Sequence, residues 1–236
     1  SFYLSEGRKY LPLIEAKLVA QFNYRNATFD GIPVSDRFKI HAGTNPVTEE
    51  QLNDPHFRTI PRFWVAEDEF RSRVGDCKGW FLGFRNAISA VADSRSLVAC
   101  AIPASPIGNS MPLILGDEQE STLLTSLYAT LNSFILDYVL RQKAGGGNLN
   151  FFILKQLPIP TPSTYRGPCL WSAPLTVSAW ITGRVLELTY TSWDLQPFAQ
   201  DLGYDGPPFR WNPERRFLSR CELDAAFFHL YGIDRE

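Results

Sequence analysis

The sequence predicts a mixed α/β (α+β) fold. Short runs rich in Phe, Trp, Ile and Val, bounded by Gly and Pro, recur through the first 160 residues. A stretch near 118–143 has helical apolar spacing. Capped helical patterns fill the C-terminal part. With 236 residues, 44% of them hydrophobic and 20% charged, the chain can build a substantial core.

In chain order, Pro12 and an irregular apolar pattern over 10–24 predict short strands and loop. Residues 27–60 are polar and punctuated by Gly31, Pro33, Gly43, Pro46 and Pro55, so they are expected as a long loop outside the core. Residues 61–66 (PRFWVA) predict a short strand, followed by a charged helix over 67–74. Residues 79–89 and 95–102 predict two strands, with MPLIL (111–115) as a third.

One long helix is predicted from about 118 to 143. Asp117 and Glu120 form a D-x-x-E capping box, Leu124 to Val139 supply a buried face, and Arg141 and Lys143 suit the C-terminal dipole. Gly145, Gly146 and Gly147 stop it. The following NFFILKQLPIP reads as an extended segment leaving a domain over 1–160, with 161–176 as linker. Helices near 178–190 and 193–202 and a last helix capped by Asn212, opened by Pro213 and closed by Gly232 make a helical tail over 177–236. Leu218, Cys221, Ala225 and Phe228 are its expected buried stripe.

Composition constrains function. Net charge is −2, with balanced charges over 1–160, whereas a domain that grips DNA unaided is usually basic. Four scattered Cys and three His give no metal-clip spacing, so neither zinc nor any other metal is expected, and reduced thiols are expected. No run of 18 apolar residues spans a membrane, and no signal-peptide core is visible. The Ser1 start and the lone Met111 suggest a piece of a longer polypeptide.

Several motifs are set aside. Gly206-Pro207-Pro208-Phe209 lacks the polar first residue of an adenine methyltransferase loop and reads as a turn. Gly145–Gly147 is no P-loop, since no G-K-[ST] follows; it either ends a helix or also lets backbone amides approach a phosphate. Glu15-Ala16-Lys17 matches the E-x-K of metal-dependent nucleases but has no upstream Asp.

Four stretches carry a resemblance: YLPLIEAKLVAQFNYR (10–25), GWFLGFRNAISAVADSRSLVACAIP (79–103), LNSFILDYVLRQKAGGGNLNFFILKQLPIP (131–160), and RVLELTYTSWDLQPFAQDLGYDGPPFRW (184–211) with ELDAAFFHLYGI (222–233). They resemble the C-terminal target-recognition region of type IIG-like restriction–modification and phage-defence adenine-specific DNA methyltransferases. The third stretch is also similar to the recognition domains of type I specificity subunits.

The resemblance implies a target-recognition domain with a small mixed sheet, in a bacterial, cytoplasmic protein. It would read double-stranded DNA and present it to a catalytic methyltransferase domain of the same polypeptide. S-adenosylmethionine is then the cofactor of that parent protein, none is expected in this piece, and this piece alone is not an enzyme. Arg85-Asn86 stands where the family usually has Arg-Asp.

Candidate DNA contacts follow from side-chain chemistry. Lys143, Asn148, Asn150 and Lys155 surround Gly145, Gly146 and Gly147; lysines suit phosphates, and Asn can bond adenine bidentately. Helix-end charge and turn chemistry explain the same residues. Arg85 and Arg95 could read guanine or pair within the domain, Arg95 with Asp93 for instance. Gln21, Asn23 and Arg25 alternate as on one strand face, solvated or in a groove. Two other classes stay open: a protein-docking module, and a nuclease using Glu15 and Lys17.

Overall fold

The structure, a computed structural model, describes residues 3–5, 7–75, 79–88, 95–116, 120–144 and 147–233. The mixed α/β class is present, but the sheet component is divided and its strand pairs are antiparallel. One three-stranded sheet has the order β1 (Tyr3–Ser5), β2 (Arg8–Pro12), β5 (Trp64–Ala66). Between them in sequence, β3 (Ala27–Thr28) pairs with β4 (Asn45–Pro46). The central sheet sets β6 (Trp80–Phe84) between β8 (Ala99–Pro103) and β9 (Leu113–Ile114), and every residue of β6 is buried. Such a strand must read as a continuous apolar run, as WFLGF does. The three strands expected from 79–115 are therefore neighbours.

Residues 27–60 are less peripheral than expected. They carry α1 (Val34–Arg37) and α2 (Glu49–Asn53), the latter held by a Thr48–Gln51 capping box. Ala27 and Phe29 join Leu18 in a small second core. The charged helix α3 (Glu67–Val74) has the bounds the sequence predicts.

The single long helix is in fact two, α4 (Ser121–Leu131) and α5 (Phe134–Lys143), which meet at 62°. Ser133 breaks the chain by taking an extended conformation and accepting the Leu136 amide on its hydroxyl, so a fresh helix N-terminus is capped mid-run. The bend leaves Phe134 and Tyr138, expected in the core, facing outward. Asp117 of the expected capping box lies outside the described residues, and Glu120 makes no side-chain cap.

The apolar run after the glycines is also not extended. Asn150 caps α6 (Phe151–Leu154) by accepting the Ile153 amide at 3.0 Å. The expected linker contains α7 (Pro162–Arg166), and it buries Tyr165 and Cys169. The Tyr165 hydroxyl bonds that of Thr130 at 2.5 Å.

α8 (Val177–Thr189) packs along α4, and α9 (Gln196–Asp201) follows. In α10 (Pro213–Leu230) the Asn212 side chain caps the Arg215 amide at 2.9 Å, and Gly232 closes the helix at φ +67°. The cap signals hold, but of the expected buried stripe only Phe228 packs against the core, and it is partly buried. Ser219, Leu223, Ala226 and Phe227 are buried, while Leu218, Cys221 and Ala225 are exposed. One hydrophobic cluster runs from Ile14 to Phe227, so the segments before and after the expected linker share a core. Trp80 joins them by donating its indole N–H to Asp201 at 2.8 Å. No single described helix is long and apolar enough to cross a membrane.

Candidate nucleic-acid interface

Two stretches singled out by the sequence meet on one edge. β7 (Ala87–Ile88) pairs antiparallel with β10 (Gly147–Asn148), in the register Gly147↔Ile88 and Asn148↔Ala87. The Leu149 amide extends the ribbon by donating to the Asn86 carbonyl at 2.5 Å. Gly147 sits at φ +95°, where a side chain would be strained, so the turn into β10 needs glycine. Gly145 and Gly146 lie outside the described residues.

Around this ribbon the exposed side chains are polar, basic and aromatic. Lys143 ends α5, Asn148 lies on β10, Asn150 caps α6 and Lys155 follows α6; all four are exposed. Neither lysine has an ion-pair partner among the described residues, whereas Arg141 is held by Asp137 at 2.9 Å. Asn150 already uses its carbonyl oxygen in the cap, which leaves its amide hydrogens for a ligand.

Phe152, which sequence reasoning passed over, is 75% exposed beside them. Its neighbour Phe151 is anchored edge-on against Phe84 at 5.5 Å. The available signal was the Asn150 cap: it starts a helix in which only one of two adjacent phenylalanines can face the core.

The remaining candidates turn inward. Arg85 donates to the carbonyls of Ala16, at 2.9 Å, and Val19, so its fork holds the N-terminal loop instead of facing out. Asn86 donates its amide to the Asn109 carbonyl at 3.4 Å. Arg95 bonds Asp224 at 2.7 Å and stacks over Phe134, so its partner lies on the last helix, and Asp93 is outside the described residues.

Gln21 donates to the carbonyls of Leu97 and Asn132 at 3.1 and 3.2 Å. Asn23 is buried and accepts the Arg25 amide at 3.0 Å. Arg25 is 0% exposed and donates to the carbonyls of Leu52, Asp54, Phe57 and Thr191. Burial also lowers its pKa from the ordinary arginine value. With no exposed surface, Arg25 cannot meet a base edge. The alternation at 21, 23 and 25 marks no strand face because Phe22 takes φ 58° in a turn closed by the Ala20↔Asn23 bridge.

The nuclease pair is likewise engaged within the chain. Glu15 accepts Arg62 at 2.6 and 2.9 Å. Lys17 donates to the Ala42 carbonyl at 3.2 Å and sits over Phe29, and burial lowers its pKa. Gly206–Phe209 forms a packed turn in which the Phe209 amide bonds the Tyr190 carbonyl at 2.8 Å and its ring stacks on Tyr204.

The arrangement around β7–β10 can therefore offer a ligand two lysines without ion-pair partners among the described residues, the Asn148 carboxamide, the Asn150 amide hydrogens and an exposed aromatic ring. No family model, curated protein or solved structure matches this chain.

Proposed function

We propose that this chain is the sequence-specific DNA recognition domain of a restriction–modification type adenine DNA methyltransferase. The observation that carries the reading is the β7–β10 pairing, which joins the 79–103 and 131–160 stretches of the resemblance beside Lys143, Asn148, Asn150 and Lys155. The lysines neutralise phosphates and fix the register of the duplex. Asn148, whose carboxamide has no hydrogen-bond partner among the described residues, reads adenine through N6 and N7. Phe152 gives an apolar contact to a thymine methyl or an unstacked base.

Catalysis belongs to a methyltransferase domain elsewhere in the polypeptide, and so does S-adenosylmethionine; the packed Gly206–Phe209 turn is not a methyltransferase loop. On this reading the protein works in the bacterial cytoplasm, and its partners are duplex DNA and that catalytic domain. The net charge of −2 fits a module whose nonspecific grip is supplied by that domain.

The test is the salt dependence of duplex binding by fluorescence anisotropy, beginning at low ionic strength. Lys143→Ala and Lys155→Ala should each weaken binding across sequences and reduce the slope of log K against log salt by about one. Unchanged affinity and slope in both variants would remove this edge from the DNA path.

A further inference from the structure

The last helix turns an apolar face to solvent. On α10, Phe217 is 57% and Leu218 47% exposed, and Cys221 and Ala225 are exposed beside them. On α5, Phe134 is 48% and Tyr138 59% exposed, one turn apart. The Phe134 and Phe228 rings lie 6.1 Å apart, so the two apolar faces adjoin. Beside these faces, between α10 and the α4–α5 break, opens a cleft of about 200 Å³ lined by Phe22, Arg95, Asn132, Phe217, Arg220 and Asp224, among others.

The charge in this cleft is unbalanced. Both oxygens of Asp224 are engaged: one accepts Arg95 Nη2 at 2.7 Å, and the other accepts the Phe134 amide at 2.6 Å. Arg95 Nη1 is buried without a hydrogen-bond partner. Arg220 is exposed and has no ion-pair partner among the described residues. Two guanidinium groups thus share the cleft with one carboxylate, and a buried donor left unmade is costly. An incoming anion relieves both. The exposed apolar side chains beside the cleft, Phe134, Phe217 and Leu218, favour a carboxylate carried between apolar groups over a bare ion. A run of DNA phosphates fits poorly, since it would lay charge against Phe217, Leu218 and Phe134 and would need more cations than two.

We propose that the cleft between α10 and the α4–α5 break docks a segment of a protein partner. The segment places one Asp or Glu side chain between Arg95 and Arg220 and lays apolar neighbours on Phe134, Phe217 and Leu218. The docking face uses α10 and the N-terminal part of α5, whereas the β7–β10 edge takes only Lys143 from the C-terminal end of α5, so the two assignments rest on different residues and can fail separately.

A random peptide library displayed against the immobilised chain tests this, with counter-selection on a Phe217→Ser/Arg220→Gln double variant. Both positions are exposed, and an unchanged urea midpoint establishes that the variant is folded. Enriched peptides should share an acidic residue flanked by apolar ones. A synthetic representative should bind Arg220→Gln at least about tenfold more weakly than the parent chain, and exchange of its acid for the amide should cost a similar factor.

The proposal is overturned if no sequence enriches over the double variant, or if enriched peptides lack the acid. Equal binding by Arg220→Gln also overturns it. A double variant that loses duplex affinity while no peptide enriches would reassign the face to DNA. None of these outcomes bears on the salt slopes of Lys143→Ala and Lys155→Ala.

Discussion

Arg25 donates a guanidinium N–H to the Thr191 carbonyl at 2.8 Å, across 166 positions of chain. The same group collects the carbonyls of Leu52, Asp54 and Phe57 around the end of α2, where a cation also suits the helix dipole. One side chain therefore ties the N-terminal loop, the 27–60 segment and the loop after α8. Arg25→Met keeps apolar bulk but strands these carbonyls, and a loss of about 3 kcal/mol is expected in urea unfolding. Duplex affinity of the folded variant should be unchanged. Lost affinity at full stability would instead return Arg25 to the surface role its sequence context suggests.

Asn132 supplies a strand partner from a side chain. Its oxygen accepts the Ala99 amide at 3.0 Å, and its nitrogen donates to the Ala99 carbonyl at 3.1 Å. The amide group thereby completes the edge of β8 and fixes the α4–α5 break against the central sheet. Asn132→Ala leaves both Ala99 groups buried and unpaired, so a loss of about 2 kcal/mol is expected. Hydrogen exchange should show the Ala99 amide losing protection more than those of Leu82 or Ile102. Uniform change along β6 and β8 would argue against this local role.

These two residues mark where the sequence could and could not be read. Helix α3, the strands of the central sheet and the ends of α10 were legible because propensity, caps and tertiary packing agree there. The α4–α5 break was hidden because apolar spacing continues through it. Only Ser133, a capping residue inside a helical run, signalled a stop, and the sheet contact of Asn132 that fixes the bend is long-range.

The α10 stripe was misplaced because the helix is apolar on two sides, and periodicity cannot say which side meets the core. The site divided in the same way. Lys143, Asn150 and Lys155 lie at helix ends and Asn148 on the two-residue β10, positions that keep polar side chains outside. Arg25 and Arg85 are consumed by carbonyls of distant loops, a fate that local pattern does not encode. Phe152 needed the register of α6 before it could be recognised as exposed.

Acid should loosen the α8–α10 contact. Glu222 accepts Arg184 at 2.7 Å and Arg215 at 2.8 Å, and Arg215 also pairs with Glu187 at 2.9 Å. Partial burial raises the Glu222 pKa, but the hydrogen bond from Arg215 and the charges of both arginines outweigh it, so the carboxyl is held below its ordinary value of 4.5. A depressed folded-state pKa stabilises the fold above the unfolded value and loses that contribution as pH falls through the folded value. After allowance for solvent screening, Glu222→Gln should cost under about 1 kcal/mol at neutral pH. The deficit should shrink below pH 4.5, as urea midpoints of the two proteins converge. A deficit constant down to acid pH would mean that packing, not charge, sets the effect.

The most direct measurement of the proposed reading is selection of duplexes from a randomised pool by the purified chain at low salt. The parent chain should enrich a short motif that contains an adenine. Asn148→Ala should enrich the same motif with that adenine relaxed, a discrimination loss of about 1–3 kcal/mol at one base pair. A pool that stays random with the parent chain, or an identical motif of undiminished strength with Asn148→Ala, would contradict DNA reading through this edge.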